Sequence, residues 1–327
     1  MFAFGSQTKT PQAAPPYTDA VVVKGLAKYF GDFHAVDGID FEVHKGEIFG
    51  FLGPNGSGKS TTIRMLCGVI DPTEGDIEVL GIDVRTQPEA VKERIGYMSQ
   101  KFSLFEELTV DENLKFYAGI YGLSEEKYAE RREYVLRMAD LKGREDEMTK
   151  NLSVGWKQRL ALGCSTIHEP ELLFLDEPTS GVDPIARRQF WELLYELAAQ
   201  GVTLFVTTHY MDEAAHCNRL AFIYRGNLIA EGSPQAVREL MEDRVVALSV
   251  DNAEDAMEAL EGVSEVREVY MHGANIHANI GGLDPADFDL AGLLQAEGIA
   301  VLEVRSVEPS LEDVFVHLVN AERERGA

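Results

Sequence analysis

One short stretch constrains the fold of this chain more than any other, the octapeptide "GPNGSGKS" at positions 53–60. It follows an apolar run at 46–53 and precedes a segment whose apolar residues recur at helical spacing, so it fits G-x-x-x-x-G-K-[ST] between a strand and a helix. Glycines let backbone N–H groups turn inward, and the start of a helix favours anions. The stretch therefore predicts a phosphate-binding loop, and the alternative is a plain glycine-rich turn.

Each part of this loop has an expected role. Lys59 should reach the β- and γ-phosphates of a nucleotide, and Ser60 should ligate Mg²⁺, with Thr61 directly behind it. The remaining contacts to the nucleotide should come from the residues that form the loop itself, which are Gly53, Pro54, Asn55, Gly56, Ser57 and Gly58.

Polar residues end three further apolar runs. Asp176 and Glu177 follow "LLFL", His209 ends "GVTLFVTTH", and Gln100 follows "GYMS". Carboxyl ends of parallel strands meet at one edge of a sheet, where Asp176 can hold Mg²⁺ and Glu177 can deprotonate an attacking water. We expect His209 to lie at the same edge of the sheet and to contact the γ-phosphate there. The structural alternatives are an acidic helix cap, a packed histidine and a solvated glutamine.

The pattern of elements and charge predicts several segments. The length of 327 residues suggests two domains, and strands alternating with helices indicate an α/β core. From Glu231 onward there are 21 acidic side chains, six arginines and no lysine, a net charge of −15, and the order β-α-β-β-α-β suggests a ferredoxin-like α+β domain. We therefore predict a flexible tail at 1–19, a nucleotide-binding domain at 20–235 with a helical subdomain at about 103–162, and an accessory domain at 240–327.

Composition limits the partners and the location. A net charge of −25 argues against nucleic acid, since phosphate backbones are bound by basic surfaces. Three cysteines without metal-like spacing fit a reducing cytoplasm. No apolar run approaches the roughly 20 residues needed to span a bilayer. If this protein works at a membrane, another chain must hold it there.

With these motifs in this order, residues 21 to about 234 resemble an ATP-binding-cassette (ABC) ATPase. The resemblance implies a P-loop NTPase core with an antiparallel β subdomain and a helical subdomain, and it implies ATP and Mg²⁺ as cofactors. It also implies that two cassettes pair head to tail around ATP. Further roles are implied for matching residues: Tyr29 stacks on adenine, Gln100 joins Ser60 and Asp176 at Mg²⁺, His209 is the switch histidine, and Ser180 and Asp183 face the second subunit.

The signature segment of the family is altered here. It usually reads Leu-Ser-Gly-Gly-Gln, whereas this chain has "LSVGW" at 152–156. The resemblance implies that Ser153 and Gly155 contact the partner's ATP. Val154 keeps its N–H and can donate it if its φ is negative, and Trp156 can pack where glutamine would hydrogen-bond. Two outcomes stay open, an altered but working signature and a degenerate one that needs a better partner.

The motifs also resemble a subgroup of single-cassette ATPases that serve exporters with a separate permease, some of them linked to drug efflux. That implies an ATPase on the inner face of the cell membrane, bound through an integral-membrane permease and paired with a second cassette, either identical or different. One alternative is a soluble cassette without a transport role, which the acidity and the single cassette disfavour. Another is a ligand sensor built on the C-terminal domain, whose role could also be a dimer brace or simple packing.

Overall fold

The computed structural model describes residues 18–100, 104–285 and 288–325. Most of the predicted tail, and Ser103 at the start of the predicted helical subdomain, lie outside these ranges. Internal contacts divide the chain into two units, the first comprising Met1–Glu47 and Ser60–Phe205 and the second Ile48–Lys59 and Val206–Ala327. The predicted domain boundaries stay a prediction.

The strands of the described residues are β1 (Asp19–Phe30), β2 (Phe33–His44), β3 (Ile48–Leu52), β4 (Glu74–Val79), β5 (Ile82–Asp83), β6 (Ile95–Met98), β7 (Leu172–Asp176), β8 (Thr203–Thr208), β9 (Arg219–Tyr224), β10 (Asn227–Gly232), β11 (Val245–Val250), β12 (Glu268–His272), β13 (Asn275–Asn279) and β14 (Val301–Val307). The α-helices are α1 (Lys59–Leu66), α2 (Pro88–Lys92), α3 (Val110–Ile120), α4 (Glu125–Met138), α5 (Val154–Thr166), α6 (Pro184–Ala199), α7 (Pro234–Arg238), α8 (Ala253–Glu261), α9 (Leu290–Ala296) and α10 (Leu311–Arg325). None of these helices combines the length and the apolar composition required to cross a membrane.

In the first unit, an antiparallel sheet has the order β2-β1-β4-β5. Alternating apolar and polar letters around "DFEV" predict a strand at 39–43, and in β2 Ile39, Phe41 and Val43 are buried while the residues between them are exposed. Such alternation is typical of an antiparallel sheet with one wet face. The antiparallel part of the predicted fold is therefore confirmed.

The predicted buried parallel strands are also present. The first unit has the order β6-β7-β8, in which β6 and β7 are parallel and every residue of β7 is buried. Strand β8 begins in the first unit and ends in the second, where the order is β8-β3-β9-β10 with β3 parallel to β9. Near-continuous apolar runs form these strands because both of their faces are covered.

Helices α3, α4 and α5 share one hydrophobic core in the first unit. Helix α3 begins at a capping box, in which Thr109 accepts from the Glu112 N–H and the Glu112 carboxylate accepts from the Thr109 N–H. Leu114 is fully buried in this core, and Tyr117 and Tyr121 pack against it. The spacing of Leu114, Tyr117 and Tyr121 in the sequence predicts a helix here, and the structure confirms it.

The C-terminal segment has the predicted order β-α-β-β-α-β, with the sheet order β12-β13-β11-β14. Two predicted boundaries were wrong. The sequence pattern predicts a strand over 263–271, but the strand starts at Glu268, because Val263 and Val266 form a turn and pack their side chains against the core. The sequence pattern also predicts a helix over 285–297, but the helix starts at Leu290, where Asp289 caps it by accepting from the Gly292 N–H.

Candidate functional site

The predicted phosphate-binding loop lies between β3 and α1 in the second unit. Its first N–H, from Gly53, donates to the Thr208 carbonyl over 3.3 Å, and the Ser57 N–H closes the turn onto the Pro54 carbonyl. The Gly226 N–H donates to the Ser57 carbonyl over 3.0 Å from the β9–β10 turn. This support for the loop has no local signal in the sequence. The residues "RGN" at 225–227 predict a hairpin turn, but not what the turn contacts.

Glycine is required in this loop for two different reasons. A Cβ on Gly53 would lie 2.2 Å from the Ile223 carbonyl oxygen, so no side chain fits there. Gly56 has open space around it but a φ of +80°, and Gly58 has a φ of +114°. These left-handed conformations turn successive N–H groups toward one concave face. Asn55 lies exposed beside Gly56 at the outer turn.

The polar side chains of the loop fit an anion. The Lys59 ammonium is only 4% exposed and donates to the Gly53 and Pro54 carbonyls at 2.7 and 3.1 Å. Ser57 Oγ is buried and makes no hydrogen bond with any residue that the structure describes. The buried Ser57 hydroxyl is costly without a hydrogen-bond partner, and the buried positive charge of Lys59 and the N–H groups of the loop favour an anion. Phosphate oxygens would satisfy all three kinds of group.

In the first unit, the structure brings Ser60 and Asp176 together as predicted. Ser60 Oγ donates to Asp176 Oδ1 over 3.1 Å, and Asp176 is 3% exposed at the end of β7. A hydroxyl beside a carboxylate forms the oxygen donor set that Mg²⁺ prefers. Thr61 follows in α1 and is half-buried.

Glu177 has an unusual backbone. Its φ is +48°, in the left-handed region that non-glycine residues rarely occupy, and its side chain is buried. Gln100 Nε2 donates to Glu177 Oε2 over 2.8 Å. Strained positions of this kind cluster at functional sites, where the surrounding structure fixes them. Gln100 therefore contacts the predicted base, and its place among the Mg²⁺ ligands stays a prediction.

His209 follows the last residue of β8, in the unit that contains the loop. The carbonyl of the preceding Thr208 accepts from Gly53, so His209 comes next to the first residue of the loop. Its ring is half-buried, with its centroid 4.1 Å from that of Tyr210. This position agrees with the predicted strand end, and the γ-phosphate contact stays a prediction.

Tyr29 lies near the end of β1 in the first unit. Its ring centroid is 4.2 Å from that of His34, and its hydroxyl donates to Asp37 over 3.4 Å. The ring is half-buried and already has one aromatic neighbour. Stacking on adenine stays a prediction for this residue.

The altered signature keeps a regular helix start. Ser153 is the exposed N-cap of α5, and its hydroxyl makes no capping bond to the described backbone. Val154 begins the helix with a negative φ, which meets the condition set for its N–H to donate. Gly155 leaves little room, because an added Cβ would lie 3.1 Å from that of Ala186. The hydroxyl and the first N–H groups of α5 can therefore reach an anion outside the chain.

Trp156 packs within its own unit. Its ring is half-buried against the core of α3, α4 and α5 and has the guanidinium groups of Arg144 and Arg159 at 4.3 and 5.1 Å from its centroid. Cations over the face of an indole are stabilising. Trp156 is therefore a packing residue in place of the family's glutamine.

The loop after β7 has a local role in addition to the predicted one. Asp183 is the N-cap of α6, and its Oδ1 accepts from the Ile185 and Ala186 N–H groups at 3.1 and 3.0 Å. The Ser180 N–H donates to the Glu177 carbonyl. The predicted contact of Ser180 and Asp183 with a second subunit stays a prediction.

Trp156→Ala should lower the free energy of unfolding by about 2 kcal/mol, since it removes a large half-buried side chain and two cation–π contacts. Denaturant unfolding followed by circular dichroism measures this change. Val154→Ala is the matched control, because Val154 is 43% exposed and its loss should change stability by less than about 0.5 kcal/mol. Equal losses for the two variants would contradict the packing role.

Comparison with known proteins gives a consistent result. The family profile described as ABC transporter matches residues 36–180, and one described as AAA domain, putative AbiEii toxin, Type IV TA system, matches 151–211. The probable multidrug ABC transporter ATP-binding protein YbhF of Escherichia coli K12 is 48% identical over 234 residues, covering 72% of this chain and 40% of that protein. This chain thus spans less than half the length of YbhF. The Nod factor export ATP-binding protein I of Rhizobium sp. N33 is 38% identical over 308 residues, covering 94% of this chain and 99% of that protein.

Solved structures agree. An ATP-binding subunit of an ABC transporter superposes with a TM-score of 0.62 at 31% identity, covering 68% of this chain and 92% of its own. The dimeric cassette MJ0796 bound to ADP and Pi has a TM-score of 0.60 at 26% identity, covering 65% of this chain and 98% of its own. The expected P-loop NTPase fold is confirmed by these matches. The chain belongs to the ABC transporter family and contains its ATP-binding cassette.

Proposed function

We propose that this chain is the ATP-hydrolysing subunit of a membrane exporter, working as one of two paired cassettes on a separate permease. The observation that carries the proposal is Glu177, a buried carboxylate held in a left-handed backbone at the end of β7 and hydrogen-bonded by Gln100. Export is supported by relatives named for multidrug transport and Nod factor export. The two names give different substrates, so we propose that the permease selects the transported molecule.

The residues have separate roles in the proposed reaction. Lys59 and the N–H groups of the loop bind the phosphates of ATP. Ser60, Asp176 and Gln100 would hold Mg²⁺, which neutralises charge on the phosphates when it is bound.

Two residues act where the terminal phosphate is lost. Glu177 takes the proton of the attacking water, and His209 stabilises the γ-phosphate. Ser153 and Gly155 complete the site of the paired cassette. ATP can then drive the permease because the closed pair binds it more tightly than separate cassettes do.

An exposed apolar surface on the first unit supports a protein partner. Phe105 and Phe116 are 45% and 42% exposed and contact each other edge to face, and Ile120 lies one turn further along α3 at 61% exposure. Ile120, Tyr121 and Leu123 also border a groove of about 980 Å³. Contiguous exposed apolar side chains beside a groove are typical of an interaction site. We assign this surface to the permease.

The double variant Phe116→Ser/Ile120→Ser should move the protein from the membrane pellet to the supernatant when its native cells are fractionated. It removes the apolar contacts to the permease and leaves the nucleotide residues unchanged. Leu302→Ser is the matched control, because Leu302 is 71% exposed but lies on β14. The protein with this substitution should stay in the membrane pellet.

Fractionation also tests the alternative function. A wild-type protein that never sediments with membranes would contradict the exporter and favour a soluble cassette. A double variant that sediments like the wild type would instead place the permease contact elsewhere.

A further inference from the structure

The β12–β13 hairpin has two unlike faces. On one face, Ile276 and Ala278 are buried in the core formed with α8 and α9. Side chains alternate along a strand, so the opposite face carries the residues between them. In the observed register these are paired as Glu268 with Asn279, Tyr270 with His277 and His272 with Asn275. Every side chain of that face is therefore polar.

This polar face is covered by α10. The Tyr270 hydroxyl donates to Asp313, and His277 Nδ1 lies 2.8 Å from Asp313 Oδ1. Further along the helix, Asn320 donates to the Glu268 carboxylate over 2.9 Å. Asp313 is fully buried, and His277 is 6% exposed.

The covered layer is rich in groups that ligate metals. His272, His277 and Asp313 each offer one ligand atom, and these atoms lie within 4.8 Å of one another. Glu312, the neighbour of Asp313, places its Oε2 3.0 Å from His272 Nδ1. Two imidazoles and two carboxylates form a donor set suited to Zn²⁺ and related divalent transition metals.

Part of this layer is explained by hydrogen bonding alone. Ser310 caps α10 and Asp313 completes the capping box, since the Asp313 carboxylate accepts from the Ser310 N–H and Ser310 Oγ accepts from the Asp313 N–H. With the bonds from Tyr270 and His277, the Asp313 carboxylate is well satisfied without any ion. The capping box and these hydrogen bonds therefore explain why Asp313 is buried here, without a metal ion.

Hydrogen bonding does not account for His272. Its Nδ1 is buried, and no hydrogen bond from any described residue reaches it, although Glu312 lies 3.0 Å away at an unsuitable angle. Its ring is stacked on that of His277, with centroids 4.3 Å apart. Two neighbouring carboxylates thus face two stacked imidazoles, an arrangement that a shared cation would stabilise.

We propose that His272, His277 and Asp313, together with Glu312, bind a divalent transition-metal ion such as Zn²⁺ and so tie the β12–β13 hairpin to α10. Ligand atoms around tetrahedral Zn²⁺ are about 3.3 Å apart, given bonds of about 2.0 Å. The ligand atoms of His272, His277 and Asp313, which now lie within 4.8 Å of one another, have to approach each other to that distance when the ion binds. The Tyr270 hydroxyl then orients the Asp313 carboxylate from behind, as outer groups do at metal sites.

The test is calorimetric titration of the metal-stripped full chain with Zn²⁺ in the absence of nucleotide. We expect one ion per chain with micromolar or tighter affinity, and a rise in melting temperature, since a ligand that binds only the folded state stabilises it. Co²⁺ should give the visible spectrum of a four-coordinate site. Failure of Zn²⁺ to bind stoichiometrically, or binding without thermal stabilisation, would overturn the proposal.

Variants locate the site. His272→Ala leaves the capping bonds of Asp313 in place and should weaken Zn²⁺ binding at least about 10-fold. His317→Ala is the matched control, because His317 lies on α10 but faces Asp243 and Glu268 at 3.9 and 3.7 Å, and this variant should bind Zn²⁺ like the wild type. His272→Gln replaces His272→Ala if the latter does not fold. Unchanged binding by the His272 variant, or equal loss in both variants, would refute this ligand set.

Discussion

Glu177→Gln is expected to lower ATP hydrolysis by a factor on the order of 10² to 10⁴, the usual contribution of a general base. ATP binding should be unaffected, because glutamine has the same shape and its amide oxygen can still accept the bond from Gln100. ATP that is bound but not consumed should hold two cassettes together. Gel filtration with and without ATP, beside a phosphate-release assay, measures both effects.

The control for this experiment is a second substitution at the signature. Ser153 is exposed at the start of α5, so Ser153→Arg should leave the fold intact and block the approach of a partner's ATP. In the Glu177→Gln background it should abolish the ATP-dependent dimer. If the Glu177→Gln variant with Ser153 intact binds ATP but stays monomeric, "LSVGW" needs a different cassette as its partner. Full ATP hydrolysis by Glu177→Gln would refute Glu177 as the general base.

Gly53→Ala should destabilise the protein by at least about 3 kcal/mol or displace the loop and abolish ATP binding. The reason is steric, since the new Cβ would lie 2.2 Å from the Ile223 carbonyl oxygen and 2.7 Å from Ser57 Oγ. The Ser57 hydroxyl could rotate away, but the Ile223 carbonyl belongs to the backbone and cannot move aside without displacing β9. The melting temperature and the affinity for a fluorescent ATP analogue measure the two outcomes.

Gly56→Ala is the matched control in the same loop. Among the described residues, no atom lies within 4 Å of a Cβ at this position, so only the positive φ is unfavourable, at a cost of about 1–2 kcal/mol. We therefore expect a milder loss of stability with ATP binding largely kept. If Gly56→Ala is as damaging as Gly53→Ala, the close approach to Ile223 is not what requires glycine at Gly53.

Local patterns were sufficient for much of the fold and of the site. The loop at 53–60 was predicted because its glycines, lysine and serine follow a strand and precede a helix. Asp176 was placed at a strand end because a buried parallel strand is a continuous apolar run, and the structure brings it to Ser60. The order of the C-terminal elements followed from the change of period between strands and helices.

Features that depend on distant residues could not be predicted. The left-handed backbone of Glu177 has no local signal, because glutamate has no preference for that region. Trp156 packs between two arginines that the sequence places 12 residues before it and three after it. The start of β12 was misplaced because Val263 and Val266 are apolar, and apolar residues pack equally well from a turn.

The histidine-rich face of the β12–β13 hairpin did leave a signal in the sequence. Polar residues occupy every second position of "EVYMH" and "NIHAN", which is the pattern of a strand with one wet face. That pattern predicts exposure, whereas α10 covers the face. Whether such a polar face is exposed or buried depends on which distant element packs on it, so the covering by α10 could not be predicted from these two strands.

The cation–π contacts of Trp156 also provide an optical probe. The chain contains two tryptophans, and Trp191 is 1% exposed in α6. Trp191→Phe would leave one indole, attached to the signature helix and flanked by two guanidinium groups whose charge shifts its emission. The fluorescence of that single indole would then report, without any attached dye and on the time scale of a stopped-flow experiment, when the signature segment meets nucleotide.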